Sequence, residues 1–158
     1  RGNAIGVELE NGFKEIEIGK SEQISDGNDL AILAVGNMVQ YAIQVSKKLN
    51  EENISAEIIN MRFIKPIDEN RLIEIANKHK KIVTLEENSI IGGFGSAVVE
   101  FLSDNNFKND VLRIALPDQF VDHGTQAELH KFGEVSANPD HQSEYKSQIV
   151  FSVSREWA

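Results

Sequence analysis

The chain has 158 residues, a length that suits one compact domain with a single core. Its formal charge of -9 repels phosphate backbones and anionic lipid, which argues against nucleic acid or a membrane as a partner. Cys is absent, which removes disulfides, thiolate metal sites and thiol nucleophiles; with no apolar leader or membrane span in view, a cytoplasmic location is expected.

The first residue is Arg1 rather than Met, so the chain is expected to be a piece of something longer. After a leader punctuated by Gly2, Gly6 and Gly12, Ile16 and Ile18 alternate with Glu15, Glu17 and Lys20, which predicts a strand with one dry face at a sheet edge. Residues 30–35 are an unbroken apolar run ending at Gly36, the pattern of a central strand covered on both faces. From Met38 to Leu49 the apolar positions 38, 39, 42, 43, 45 and 49 make one stripe of an amphipathic helix ending near Asn50. A strand over 56–61 follows, then a loop through Pro66 and a helix after Asp68, whose carboxylate can cap free N–H groups. Leu72, Ile73, Ile75 and Ala76 are expected to face inward. A strand over 81–86 leads through a Gly-rich turn into a helix carrying Ala97, Val98, Phe101 and Leu102, and a further strand over 111–116 stops at Pro117. A short helix is expected over 125–132, and residues 148–153 read as an extra strand or an ordered tail.

Strands alternating with helices in this way predict an α/β fold: a doubly wound, mainly parallel sheet with a differing edge strand, flanked by helices in three α/β/α layers. Ligands in such folds bind beyond the carboxyl ends of the strands, so the loops at 36–37, 62–66, 86–96 and 117–124 share the rim to search.

On that rim, Gly92, Gly93, Gly95 and Ser96 stand where a strand enters a helix, and exposed N–H groups there suit an anion. The turn lacks the Gly-Lys-Ser/Thr of a P-loop, and Val98 stands in place of the third glycine of a dinucleotide fingerprint, so close backbone packing competes with an anion site. Glu86 and Glu87 offer carboxylates for acid–base work, against a helix cap or a domain contact. Asp122 and His123 could form a carboxylate-oriented imidazole, but no nucleophile elbow accompanies them and a loop-fixing hydrogen bond is the better expectation. His79, His130 and His141 are scattered without metal-ligand spacing, so neither a metal site nor a catalytic residue is expected on this chain.

Several segments together resemble the C-terminal part of the 1-deoxy-D-xylulose-5-phosphate synthase family: Arg1-Gly2-Asn3, Leu33-Ala34-Val35-Gly36-Asn37-Met38-Val39, Asn60-Met61-Arg62-Phe63-Ile64-Lys65-Pro66-Ile67-Asp68, Thr84-Leu85-Glu86-Glu87-Asn88, Gly92-Gly93-Phe94-Gly95-Ser96-Ala97 and Leu116-Pro117-Asp118-Gln119-Phe120-Val121-Asp122-His123-Gly124. The resemblance covers about residues 1–135. It implies a linker over 1–15, a transketolase C-terminal-like domain over 16–135 and an atypical tail over 136–158. It further implies an enzyme that condenses pyruvate with glyceraldehyde 3-phosphate and releases carbon dioxide, using thiamine diphosphate and Mg2+ held by domains upstream of this one. In that family the C-terminal domain buttresses the other domains of the same polypeptide and the contact within a homodimer, so this chain alone is expected to be inactive and to bind no cofactor. Arg1 falls in the family segment associated with the phosphate of glyceraldehyde 3-phosphate, and a guanidinium fork suits that group. The alternatives are the C-terminal domain of a 2-oxo-acid dehydrogenase β subunit or of transketolase, and a freestanding phosphate-binding module using residues 92–96.

Overall fold

The computed structural model describes residues 15–118. Five strands and three helices follow one another: β1 (Glu22–Ser25), β2 (Leu30–Ala34), α1 (Met38–Glu51), β3 (Ala56–Asn60), α2 (Glu69–Lys78), β4 (Lys81–Ser89), α3 (Phe94–Asp104) and β5 (Asp110–Leu116). They form one sheet in the order β1-β3-β2-β4-β5, with β3, β2, β4 and β5 parallel and β1 antiparallel to β3.

The two most buried strands are β2 and β3, and the burial of side chains on both of their faces goes with helices on both sides of the sheet. Every residue of β2 is buried, and Ile32 and Leu33 pair in register with Ile58 and Ile59 of β3. Successive side chains point to opposite faces, so the sheet feeds two cores. Ile32, Ala34, Ile58, Val83 and Leu85 meet Met38, Val39, Ala42, Val45 and Leu49 of α1 on one side. Ala31, Leu33, Ile59 and Ile82 meet Leu72 and Ile75 of α2 and Phe94, Val98 and Leu102 of α3 on the other. Each fully buried Leu, Ile or Phe side chain stabilises the fold by about 1.5–3 kcal/mol.

Two details depart from the sequence reading. The edge strand exists, but it lies at Glu22–Ser25 rather than at residues 16–18, where Ile16 and Ile18 are 52% and 73% exposed and the chain turns at 18–19. Alternation alone could not place it, because a dry face needs a partner strand, and β3 pairs with 22–25. Ile73 does not face inward: it is 39% exposed, since Leu72, Ile75 and Ala76 already fill the narrow stripe that α2 presents to the sheet.

The helix boundaries follow local chemistry. Asp68 caps α2 by accepting from the Arg71 N–H, as its position before the apolar run suggested. Asn37 precedes α1 without any side-chain cap, and Gly93 precedes α3 with none to offer. The α3 N-terminus is served from elsewhere in the chain.

Candidate functional site at the carboxyl rim of the sheet

From β2 the chain crosses to β3 on one side, whereas from β4 it crosses to β5 on the other, so the strand order reverses between β2 and β4. The carboxyl ends of these two strands are where a doubly wound fold opens a crevice for a ligand. Gly36, Asn37, Glu86 and Glu87 stand at those ends.

Glu86 is 2% exposed, yet its carboxylate is fully occupied. The Phe94 N–H donates to Oε2 and the Gly95 N–H to Oε1, each at 2.7 Å. The Glu86 carboxylate of β4 thus fills the place at the α3 N-terminus that an external anion would take, accepting two of the free N–H groups there. The approach is close enough to require glycine: a Cβ on Gly93 would stand 2.3 Å from the Ser89 carbonyl oxygen and 2.4 Å from Glu86 Oε2. A Cβ on Gly95 would meet Thr84 Oγ1 at 2.6 Å and the Arg113 side chain at 3.1 Å.

Ser96 is likewise engaged within the turn. Its Oγ donates to the Ile90 carbonyl and accepts from the Gly92 N–H, both at 3.0 Å. Arg113 of β5 crosses the same loop, and its Nη1 donates to the Ile90 carbonyl at 2.9 Å and to Ser96 Oγ at 3.0 Å. Ser89 Oγ reaches Asp118 Oδ1 at 3.3 Å. Gly92, Gly93, Gly95 and Ser96 are therefore brought together with Glu86 and Arg113 in one self-bonded turn.

Glu87 points elsewhere, as alternation requires. It accepts from Asn37 Nδ2 at 3.4 Å across the β2–β4 crevice. Burial pushes the Tyr41 phenol up, and the Glu87 carboxylate adds to the push. Farther along the rim, Arg62 follows β3 in a left-handed conformation (φ 55°), with its guanidinium paired to Glu22 of β1 and its N–H donating to Asn60 Oδ1 at 3.1 Å.

A second polar cluster lies at the opposite end of the sheet and was not found by reading motifs. His79 Nε2 stands 2.7 Å from Glu57 Oε2, and both side chains are almost wholly buried. Lys78 Nζ donates to the same oxygen at 2.7 Å and to Asp26 Oδ1 at 2.6 Å. Those hydrogen bonds, to Asp26 and then to Glu57, hold the Lys78 ammonium above its usual range, and the bond from Lys78 holds the Asp26 carboxyl below its own. The pair is a carboxylate-oriented imidazole, but with His79 sealed from solvent no substrate can reach it. The sequence did hold a signal: Glu57 is a lone carboxylate in the buried run Ala56-Glu57-Ile58-Ile59, and a buried charge demands a partner.

Among the described residues no group of three or more His, Asp or Glu is arranged to hold a metal ion, and no helix is long and apolar enough to cross a membrane. Arg1, Asp122, His123, His130 and His141 lie outside the described residues, as do the helix expected over 125–132, the strand expected near 148–153 and most of the loop at 117–124.

Residues 19–138 match the family described as the transketolase C-terminal domain. The 1-deoxy-D-xylulose-5-phosphate synthase of Cytophaga hutchinsonii is 47% identical over 131 residues, 83% of this chain and 21% of that protein. The same enzyme of Halothermothrix orenii is 42% identical over 139 residues, 87% of this chain and 22% of that protein. A solved split-gene transketolase, an inactive β4 tetramer, superposes with a TM-score of 0.73 at 32% identity, covering 90% of this chain and 42% of its own. A 2-oxoglutarate:ferredoxin oxidoreductase from Magnetococcus marinus, at 15% identity and TM-score 0.51 over 87% of this chain and 19% of its own, shares the fold. This chain spans about a fifth of the length of the curated relatives it matches.

Proposed function

This chain belongs to the transketolase C-terminal domain family, and on that premise we propose that it is the C-terminal domain of a 1-deoxy-D-xylulose-5-phosphate synthase. The observation that carries the reading is the 47% identity to the Cytophaga hutchinsonii enzyme over 83% of this chain. In the proposal, the whole polypeptide condenses pyruvate with glyceraldehyde 3-phosphate and releases carbon dioxide as a homodimer in the cytoplasm. Bound thiamine diphosphate would supply the carbanion chemistry.

The domain's own part is scaffolding. The α3 N-terminus, which would suit a diphosphate, is held by the Glu86 carboxylate, and the Ser96 hydroxyl and Arg113 Nη1 are spent on the turn itself. That helix terminus therefore does not fit the cofactor's diphosphate, and thiamine diphosphate and Mg2+ fall to preceding domains of the whole polypeptide. Arg1 is assigned to the substrate phosphate in the whole enzyme, where its guanidinium can bind two oxygens side by side.

The test compares this chain and the full-length polypeptide, each supplied with pyruvate, glyceraldehyde 3-phosphate, thiamine diphosphate and Mg2+. Product from the full-length polypeptide and none from this chain is expected. Product from this chain alone would overturn the scaffolding role; a full-length polypeptide that transfers ketol units between sugar phosphates instead would favour the transketolase reading, which the 32% identity to the split-gene transketolase keeps open.

A further inference from the structure

The turn from β1 to β2 contains Asp26-Gly27, the single Asp-Gly dipeptide in the sequence. The Gly27 N–H donates to Asp26 Oδ1 at 2.9 Å, so that nitrogen stands beside the carboxyl carbon of the residue before it. Glycine is required here, because a Cβ on Gly27 would run into the peptide bond between Ala56 and Glu57 of β3. No side chain therefore shields the Gly27 nitrogen, and the Asp26 side chain is 74% exposed, open to water.

Lys78, the last residue of α2, restrains this carboxyl. Its Nζ donates to the same Asp26 Oδ1 at 2.6 Å and is anchored from behind by the buried Glu57 Oε2 at 2.7 Å. The Lys78 hydrogen bond, followed by the Gly27 N–H, keeps Asp26 ionised to lower pH than an ordinary carboxyl. An ionised carboxylate is a poor electrophile, since an oxide leaves far less readily than a hydroxyl that departs as water.

We infer that Asp26 is a modification site, where the Gly27 nitrogen isomerises the backbone to isoaspartate, and that Lys78 is the latch that slows the reaction. The Gly27 nitrogen gives up its proton and attacks Cγ of the Asp26 carboxylic acid. A C–N bond forms, the Cγ–OH bond breaks, and the hydroxyl leaves with that proton as water, closing a succinimide ring. Water then reopens the ring. Cleavage of the N–Cγ bond restores aspartate, whereas cleavage of the original peptide bond leaves isoaspartate, with the main chain running through Cβ and Cγ and a free α-carboxylate beside it. One water leaves and one returns, with no oxidant, reductant or cofactor. Gly27 has no room against Ala56 and Glu57 to absorb the extra main-chain atom, so isomerisation pulls β1 out of register with β3 and Asp26 away from Lys78. The product is a mark of chain age at the sheet edge, and it forms whichever reaction the whole polypeptide performs.

The experiment ages the full-length polypeptide and its Lys78→Met and Asp26→Glu variants in heavy-oxygen water at neutral pH, then reads the tryptic peptide of residues 21–47. Each ring opening adds one heavy oxygen, and isoaspartate is read separately as the α-carboxylate that an isoaspartyl methyltransferase esterifies. Both signals are expected at Asp26 in the parent, and about two- to fivefold faster in Lys78→Met, the factor that losing an exposed ion pair is worth. Neither is expected in Asp26→Glu, whose longer side chain would have to close a larger ring. Hydrogen exchange at the β2 amides, followed in every sample, separates a lost latch from unfolding. Absence of both signals from Lys78→Met, over a time in which the urea-unfolded parent acquires them, overturns the site, as does Asp26→Glu reacting as fast as the parent. Equal rates in the parent and Lys78→Met overturn the latch, and so does a faster rate accompanied by faster exchange at β2.

Discussion

Replacing Glu86 tests whether the α3 N-terminus is a filled anion site. Its carboxylate takes the Phe94 and Gly95 N–H groups, one on each oxygen, in a place 2% exposed to water. Glu86→Ala leaves both donors buried without an acceptor, at about 1–3 kcal/mol each, and forfeits about 0.3–1 kcal/mol of dipole interaction. Relief of the buried charge offsets part of this, so a net loss of about 4 kcal/mol is expected. Glu86→Gln keeps one acceptor but turns an amide N–H against a backbone N–H, for a loss of about 2 kcal/mol. With a urea slope of about 1–3 kcal/mol per molar, the Gln variant should unfold roughly 1 M earlier at unchanged slope. Inorganic phosphate supplies the second arm. It should raise the midpoint of Glu86→Ala beyond the background stabilisation that the salt gives both proteins, because only the variant presents open N–H groups to an anion. A Gln variant as stable as the parent, or equal phosphate gains in both proteins, would refute the assignment.

Other perturbations follow from the same geometry. Glu57→Ala should destabilise the chain by about 3–5 kcal/mol by stranding the buried His79 ring and taking one acceptor from Lys78, and Glu57→Leu/His79→Leu should cost less than the two single changes added; a double-mutant cycle by urea unfolding checks both. Gly95→Ala should cost about 1–3 kcal/mol or more, since its methyl would press on Thr84 Oγ1, whereas Gly92→Ala meets no atom and is penalised only for its positive φ. At Asp68, burial alone would raise the carboxyl, but hydrogen bonds from Ser21 and Arg71 outweigh it and hold it below the usual value. A carboxyl depressed in the folded state stabilises fully above its unfolded value, near 4, and that stability disappears as pH falls through the folded value. Asp68→Asn should therefore flatten the acid limb of the stability profile, and at neutral pH Asp68→Ala should cost about 0.5–2 kcal/mol as a lost cap.

The alternation of strand and helix was legible because β2 is an unbroken apolar run, β3 and β4 centre on the short apolar stretches Ile58-Ile59 and Ile82-Val83, and α1 carries its apolar positions at helical spacing. The edge strand was not. Glu22-Gln23-Ile24-Ser25 has one apolar residue and owes its conformation to pairing with β3, while Ile16-Glu17-Ile18 mimics a strand without a partner. The helix-cap alternative for Glu86 came from its place at a strand end, and the close approach of glycines to a turn was readable as a requirement for space. What no local pattern carried was the pairing of Glu57 with His79, 22 positions apart and joined only when α2 folds back across β3. Sheet order was equally hidden: nothing local says that β2 lies between β3 and β4, and that order decides where the rim crevice opens.

The turn after β4 is fastened on both sides of a very short gap. Ser89 and Ile90 are held by β5 through the Leu116 pairing and the Ile90 N–H to Leu116 carbonyl bond of 2.7 Å, and Phe94 is held by Glu86. Between them Ile91 and Gly92 are exposed, and the space beside Gly92 is open. Because the flanks do not depend on the length of what joins them, this is a natural graft point: a peptide tag or a small guest domain spliced between Ile91 and Gly92 would add only the slowly growing entropy of a longer loop, and the host sheet would keep its shape beneath it.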